Sequence, residues 1–182
     1  MNNNDDLKFA VAPIRGDHLT LLYTEPLTTH ESNARIHIHK AVHGFNKMLL
    51  THGASGSCNI DVACALNFKD HPEVASVGML LTDDHQRYCS GALINTANND
   101  GKQYFLTANH CVFSDVSYFI IGFNYQYDTC TTGRERNIKR ALGHLKDPEP
   151  KMVQGLRLVA SWDRTDYALL EIKEPIPDHY NV

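Results

Sequence analysis

The sequence predicts an all-β protein, a small closed antiparallel barrel or a sandwich, and two observations carry that prediction. Six apolar runs of five to nine residues recur over about a hundred residues with turn-forming clusters between them, and no long amphipathic helical pattern competes. Short strands in that number suit a sandwich or a closed barrel, in which full closure removes exposed edges.

The elements follow in chain order. Residues 1–52 contain two alternating runs, Leu19–Tyr23 and Arg35–Val42, which read as half-buried strands. A stretch of small residues, Thr51–Ser57, then marks a boundary that is exposed and open to proteolytic nicking. Beyond it, strands are expected at Val74–Leu81, Tyr88–Ile94, Tyr104–Ala108, Ser117–Tyr125, Leu156–Ser161 and Tyr167–Ile172. The turns between them are Asp83-Asp84, Asn98-Asn99-Asp100-Gly101 and Asp147-Pro148-Glu149-Pro150, all rich in residues that favour turn geometry. There is no internal repeat.

Composition narrows the function. The 182 residues are 42% hydrophobic and 21% charged with a net charge of −4, which points to neither a nucleic acid nor an anionic membrane surface as partner. No run approaches the ~18 apolar residues of a membrane span, and the start, Met1-Asn2-Asn3-Asn4-Asp5-Asp6, lacks the basic and apolar stretches of a secretory signal. Either the protein is cytosolic or its natural N-terminus lies upstream, and the cysteines favour the second. All five, Cys58, Cys64, Cys89, Cys111 and Cys130, fall in the central part of the chain, and none forms a Cys-x-x-Cys pair. That pattern suits a disulfide framework in an oxidising compartment, with one thiol left over for a partner outside the sequence.

The chemistry concentrates at Leu106-Thr107-Ala108-Asn109-His110-Cys111, where an apolar strand closes on a histidine. A histidine can take a proton near neutral pH if a second group fixes its tautomer. Asp166, which opens the run Tyr167–Ile172, is the candidate for that group, 56 residues further on. Asp163 is close by and reads as a loop carboxylate beside Arg164. Histidine followed by aspartate gives the first two members of a His…Asp…Ser order. His37 and His39 share a spacing that can hold zinc, but no third ligand accompanies them, and they read as solvent-facing. Trp162, Phe119, Phe123 and Tyr125 read as core or barrel surface, and neither a metal nor a cofactor is implied.

Four stretches in fixed order resemble the N-terminal half of a secreted bacterial trypsin-like serine endopeptidase, closest to the lysyl endopeptidase group. They are Gly53–Cys64, Cys89–Asn95, Tyr104–Cys111, and Phe123-Asn124-Tyr125 leading to Cys130. The resemblance implies a chymotrypsin-like fold in which residues 53–182 are the first of two barrels and residues 1–52 a pro-segment remnant. It implies His110 as general base, Asp166 as its orienting carboxylate, and Ser90 and Gly91 as structural. It also implies the bridges Cys89–Cys111 and Cys64–Cys130, with Cys58 bonded to a second barrel. Substrates would be proteins or peptides. The one Gly-x-Ser-Gly, at Gly53–Gly56, precedes the histidine and matches the mature start; the nucleophilic serine is therefore expected beyond Val182, and the 182 residues alone are expected to be inactive. The alternative is a non-catalytic, protease-like binding or inhibitory module.

Overall fold

The computed structural model describes residues 11, 14, 17–24, 35–41, 58, 60–81, 88–98, 100–124, 126, 129–130 and 151–176. Seven strands form one sheet: β1 (Val77–Leu81), β2 (Tyr88–Ile94), β3 (Gln103–Thr107), β4 (Ile120–Phe123), β5 (Lys151–Val153), β6 (Leu156–Trp162) and β7 (Tyr167–Ile172). Their spatial order is β5-β4-β1-β2-β3-β7-β6, and every neighbouring pair is antiparallel.

That order leaves β5 and β6 at the two margins, yet only Gln154 and Gly155 separate them along the chain. Three Cα–Cα steps reach ~11 Å at most, so the margins must meet and the sheet curls into a barrel. Gly155 makes the crossing at φ +78°, a left-handed conformation that costs glycine little. The backbone N–H of Gln154 is held by the Glu174 carboxylate at 2.9 Å, and the carbonyl of Gly155 accepts from Lys173 N–H at 3.0 Å.

Alternation along the strands fills the interior. Leu80, Leu93, Phe105, Ile121, Phe123, Val153, Leu170 and Ile172 are buried together, with Phe105 and Phe123 edge to face at 6.2 Å. β2 passes so close to β3 that a Cβ on Gly91 would collide with the carbonyl oxygen of Leu106 and with the ring of Phe105. Two disulfides brace the barrel, Cys64–Cys130 and Cys89–Cys111, the pairs that the resemblance implies. Cys58 is exposed and belongs to neither.

The all-β architecture is as expected, with corrections in detail. Leu19–Tyr23 and Arg35–Ala41 form no strand. Alternation makes a strand only where a neighbour offers a ladder and a core offers burial, and here Leu19, Leu21, Leu22, Ile36 and Ile38 stay exposed. Val42 lies outside the described residues, as do Thr51–Ser57, Asp83-Asp84 and Asp147–Pro150. The start of the expected first strand is a helical turn, Glu73–Ser76, held by the Ser76 hydroxyl on the Glu73 carbonyl at 2.7 Å. The start of the expected fourth strand is a 3-10 turn, Val116–Tyr118, capped by the Asp115 side chain on Ser117 N–H.

Candidate active site

His110 sits in a 3-10 turn, Asn109–Cys111, that follows β3 directly. Three ties fix this turn to the barrel. The Thr107 hydroxyl, at the buried end of β3, donates to the Ser90 carbonyl at 2.9 Å. The Cys111 N–H donates to the Ala108 carbonyl at 3.2 Å, and the Cys111 side chain, nearly fully buried, is bonded to Cys89 on β2.

Asp166 reaches the same place by strand pairing. β3 and β7 run antiparallel with Thr107 opposite Ala168, and the same register carried two residues past the end of β3 sets Asn109 opposite Asp166, the residue before the start of β7. Asn109 N–H accordingly donates to the Asp166 carbonyl at 3.1 Å. Asp166 closes the loop between the paired residues Trp162 and Tyr167, a turn in which its N–H bonds the Asp163 carbonyl at 3.2 Å. Its φ is +53°, a left-handed conformation that aspartate tolerates better than most residues. Asp163 turns instead to its own loop, where its carboxylate accepts the Arg164 N–H at 2.8 Å.

The two carboxylate oxygens of Asp166 divide their work. Oδ1 accepts the backbone N–H of His110 at 2.9 Å, and Oδ2 meets the ring Nδ1 at 2.7 Å. Both contacts favour the charged carboxylate, and they hold Asp166 below the usual range of an aspartate, the backbone N–H contributing most and the ring next. An ionised carboxylate can only accept. Nδ1 therefore carries a ring proton, which in the neutral imidazole leaves the lone pair on Nε2. The pair is open to water, with 71% of the His110 side chain and 49% of Asp166 accessible.

The sequence brings His110 and Asp166 forward as candidates, and the structure places them in contact. Thr107 and Asn109 stand in the stretch the sequence singles out, but the ties they make to Ser90 and Asp166 were not read from it; for Thr107 the available signal was a hydroxyl at the inward end of an apolar strand. His37 and His39 are exposed with ring centroids 6.4 Å apart. Of the aromatic residues, Phe119 and Phe123 are fully buried, Trp162 is about half exposed, and Tyr125 lies outside the described residues. Among the described residues no helix is long and apolar enough to cross a membrane.

The curled, all-antiparallel sheet is consistent with a chymotrypsin-like β-barrel. The chain belongs to the family described as lysyl endopeptidase, C-terminal domain, whose model matches residues 52–182. It is similar to a lysyl endopeptidase of Pseudomonas aeruginosa strain PAO1, 28% identical over 111 residues, a match that covers 54% of this chain and 24% of that relative. The match thus spans about a quarter of the length of the curated relative. The family named by that model is one of endopeptidases.

Proposed function

We propose that residues 53–182 supply the histidine and aspartate of a serine endopeptidase that hydrolyses peptide bonds in proteins or peptides, with the nucleophilic serine on a second barrel outside these 182 residues. In this reading the serine oxygen attacks the peptide carbonyl while Nε2 of His110 takes its proton. Nε2 then returns that proton to the leaving amine, and Asp166 stabilises the imidazolium formed in between. The observation that carries the reading is the double contact of Asp166, one oxygen on the His110 N–H and the other on Nδ1. It holds the ring in the tautomer that a general base requires.

The same reading makes residues 1–52 the remnant of a pro-segment and the protein a secreted zymogen. The start of the family match at residue 52 supports that division, and the two disulfides suit an oxidising compartment. Cys58 would bridge to the second barrel. Cleavage preference would be set there too, in the pocket that receives the side chain before the scissile bond.

The experiment is to express the coding region through whatever follows Val182 and to probe it with a serine-directed fluorophosphonate and peptide substrates. Labelling and hydrolysis are expected in the extended protein, and His110→Ala should remove them with the fold intact. The 182 residues alone should show neither, since losing the nucleophile costs about a millionfold in a comparable triad. An extended protein that is folded and unreactive would instead be a protease-like binding or inhibitory module.

A further inference from the structure

We infer that Gln103 is a positioning residue whose side-chain amide clasps the backbone of Ile176 and so sets where the chain leaves the barrel, a role that rests on the second-barrel reading above. The amide bonds in both directions. Nε2 donates to the Ile176 carbonyl at 3.3 Å and Oε1 accepts the Ile176 N–H at 3.0 Å, across 73 positions of sequence. One side chain thus makes the donor and acceptor bonds that a neighbouring strand would make. The local sequence, Pro175-Ile176-Pro177, shows why a side chain is used there. Proline has no N–H to give, so Ile176 carries the only backbone donor of the three, and a regular ladder would break on either side of it.

The clasp stands at the far end of the two strands that carry His110 and Asp166. β3 begins at Gln103 and runs into the turn of His110, while β7 opens directly after Asp166 and ends at Ile172, the residue opposite Gln103 in the ladder. The histidine and the exit of the chain are therefore held by the same pair of strands. Two more ties grip the exit segment: Lys173 N–H on the Gly155 carbonyl at 3.0 Å, and the Glu174 carboxylate on the Gln154 N–H at 2.9 Å. The Ile176 side chain is 4% exposed and packs into the barrel core. Each proline also disfavours helical backbone at the residue before it, which stiffens Glu174 and Ile176. A segment held in this way leaves the barrel from a fixed point. With the serine on a second barrel, that point governs how far the serine oxygen lies from Nε2 of His110. Gln103 meets no reacting atom and acts through the course of the chain.

The test uses the extended protein with Gln103→Leu, which loses both bonds, and Gln103→Glu, which keeps the acceptor for Ile176 N–H and loses the amide donor. Gln103→Leu should lower kcat by about 10- to 100-fold, the cost of a reacting group displaced by ~1 Å, with KM nearly unchanged. Labelling by a fluorophosphonate should slow in parallel, and amide hydrogen exchange at Ile176 should quicken. The low-field Nδ1 proton of His110 should stay, because the histidine and aspartate remain in contact and only the serine has moved. Gln103→Glu should fall between the parent and Gln103→Leu. Parental kcat in Gln103→Leu despite faster exchange at Ile176 reduces the clasp to a structural tie and overturns the inference. Loss of the Nδ1 proton together with activity overturns it too, since the damage then lies in the pair itself. If Gln103→Leu does not fold, Gln103→Glu decides, and parental kcat there overturns the role. A parent extended protein that folds and hydrolyses nothing is a separate failure: it overturns the protease reading, and the role of Gln103 with it.

Discussion

Asp166 spends one oxygen on backbone and one on a ring, and the two contacts give two separable predictions. In the extended protein, Asp166→Asn should lower turnover by roughly ten-thousandfold, because an amide at that place permits the wrong imidazole tautomer. Asp163→Asn should leave turnover nearly unchanged, since that carboxylate holds Arg164 N–H instead. Steady-state kinetics of the two variants decides between the carboxylates. The second prediction concerns acid. A carboxyl held below its ordinary value binds fewer protons folded than unfolded, so its stabilising effect is full above the unfolded value, ~3.9 for aspartate, and is lost as pH falls through the folded one. Glu73 and Asp100 are lowered as well and act with the same sign. Denaturation midpoints should therefore fall more steeply on acidification below pH ~4 in the parent chain than in Asp166→Asn, the difference isolating Asp166. At this scale much was legible. His110 lies at the end of a run of strand-forming residues and Asp166 at the start of another, which the sequence displays. The left-handed φ of Asp166 and the backbone bond to His110 arise only when β3 and β7 pair, and no residue pattern announces them.

At the scale of elements, the tightest constraint is where β2 crosses β3. Gly91→Ala should destabilise the barrel by about 1–3 kcal/mol or more, because the new methyl meets a backbone oxygen that cannot move aside and a buried ring. Phe105→Ala, which empties the same place, should cost about 3–5 kcal/mol. Chemical denaturation of both variants checks the pair, and a neutral Gly91→Ala would mean that the two strands are further apart than described. Strand β2 at Tyr88–Ile94 and strand β7 at Tyr167–Ile172 have the bounds that their composition predicts, since each runs unbroken between turn residues. The margins were less visible. Asp115 caps the 3-10 turn ahead of β4, and Asn124 ends that strand at φ +60°, so a side-chain cap before the apolar run and a left-handed residue after it set the bounds of the strand. Three residues of β5 are too few to show a period, and only their pairing with β4 defines them as a strand.

For the molecule as a whole, the seven-stranded barrel is held by two covalent ties. In the chain-entropy view these contribute roughly 3 and 4 kcal/mol, the longer loop being Cys64–Cys130 with a separation of 66 residues. The proposed division at the preceding small-residue stretch predicts that limited proteolysis cuts first within Thr51–Ser57 and leaves a resistant barrel; N-terminal sequencing of the fragments would show it, and first cuts inside the barrel would count against the division. Overall architecture was legible because alternation, turn residues and cysteine order all speak for one fold. How the sheet closes was not, since that depends on a two-residue crossing at Gln154-Gly155 between strands that are neighbours in sequence and opposite margins of the sheet. Everything proposed for function turns on one state of one ring, His110 held by Asp166 with Nε2 unprotonated. Nuclear magnetic resonance of the imidazole nitrogens reads that state directly in the 182-residue chain. Near neutral pH the ring should be the Nδ1–H tautomer with a low-field, hydrogen-bonded proton on Nδ1 that Asp166→Asn removes; a ring protonated mainly on Nε2, or a spectrum indifferent to Asp166→Asn, would contradict the account.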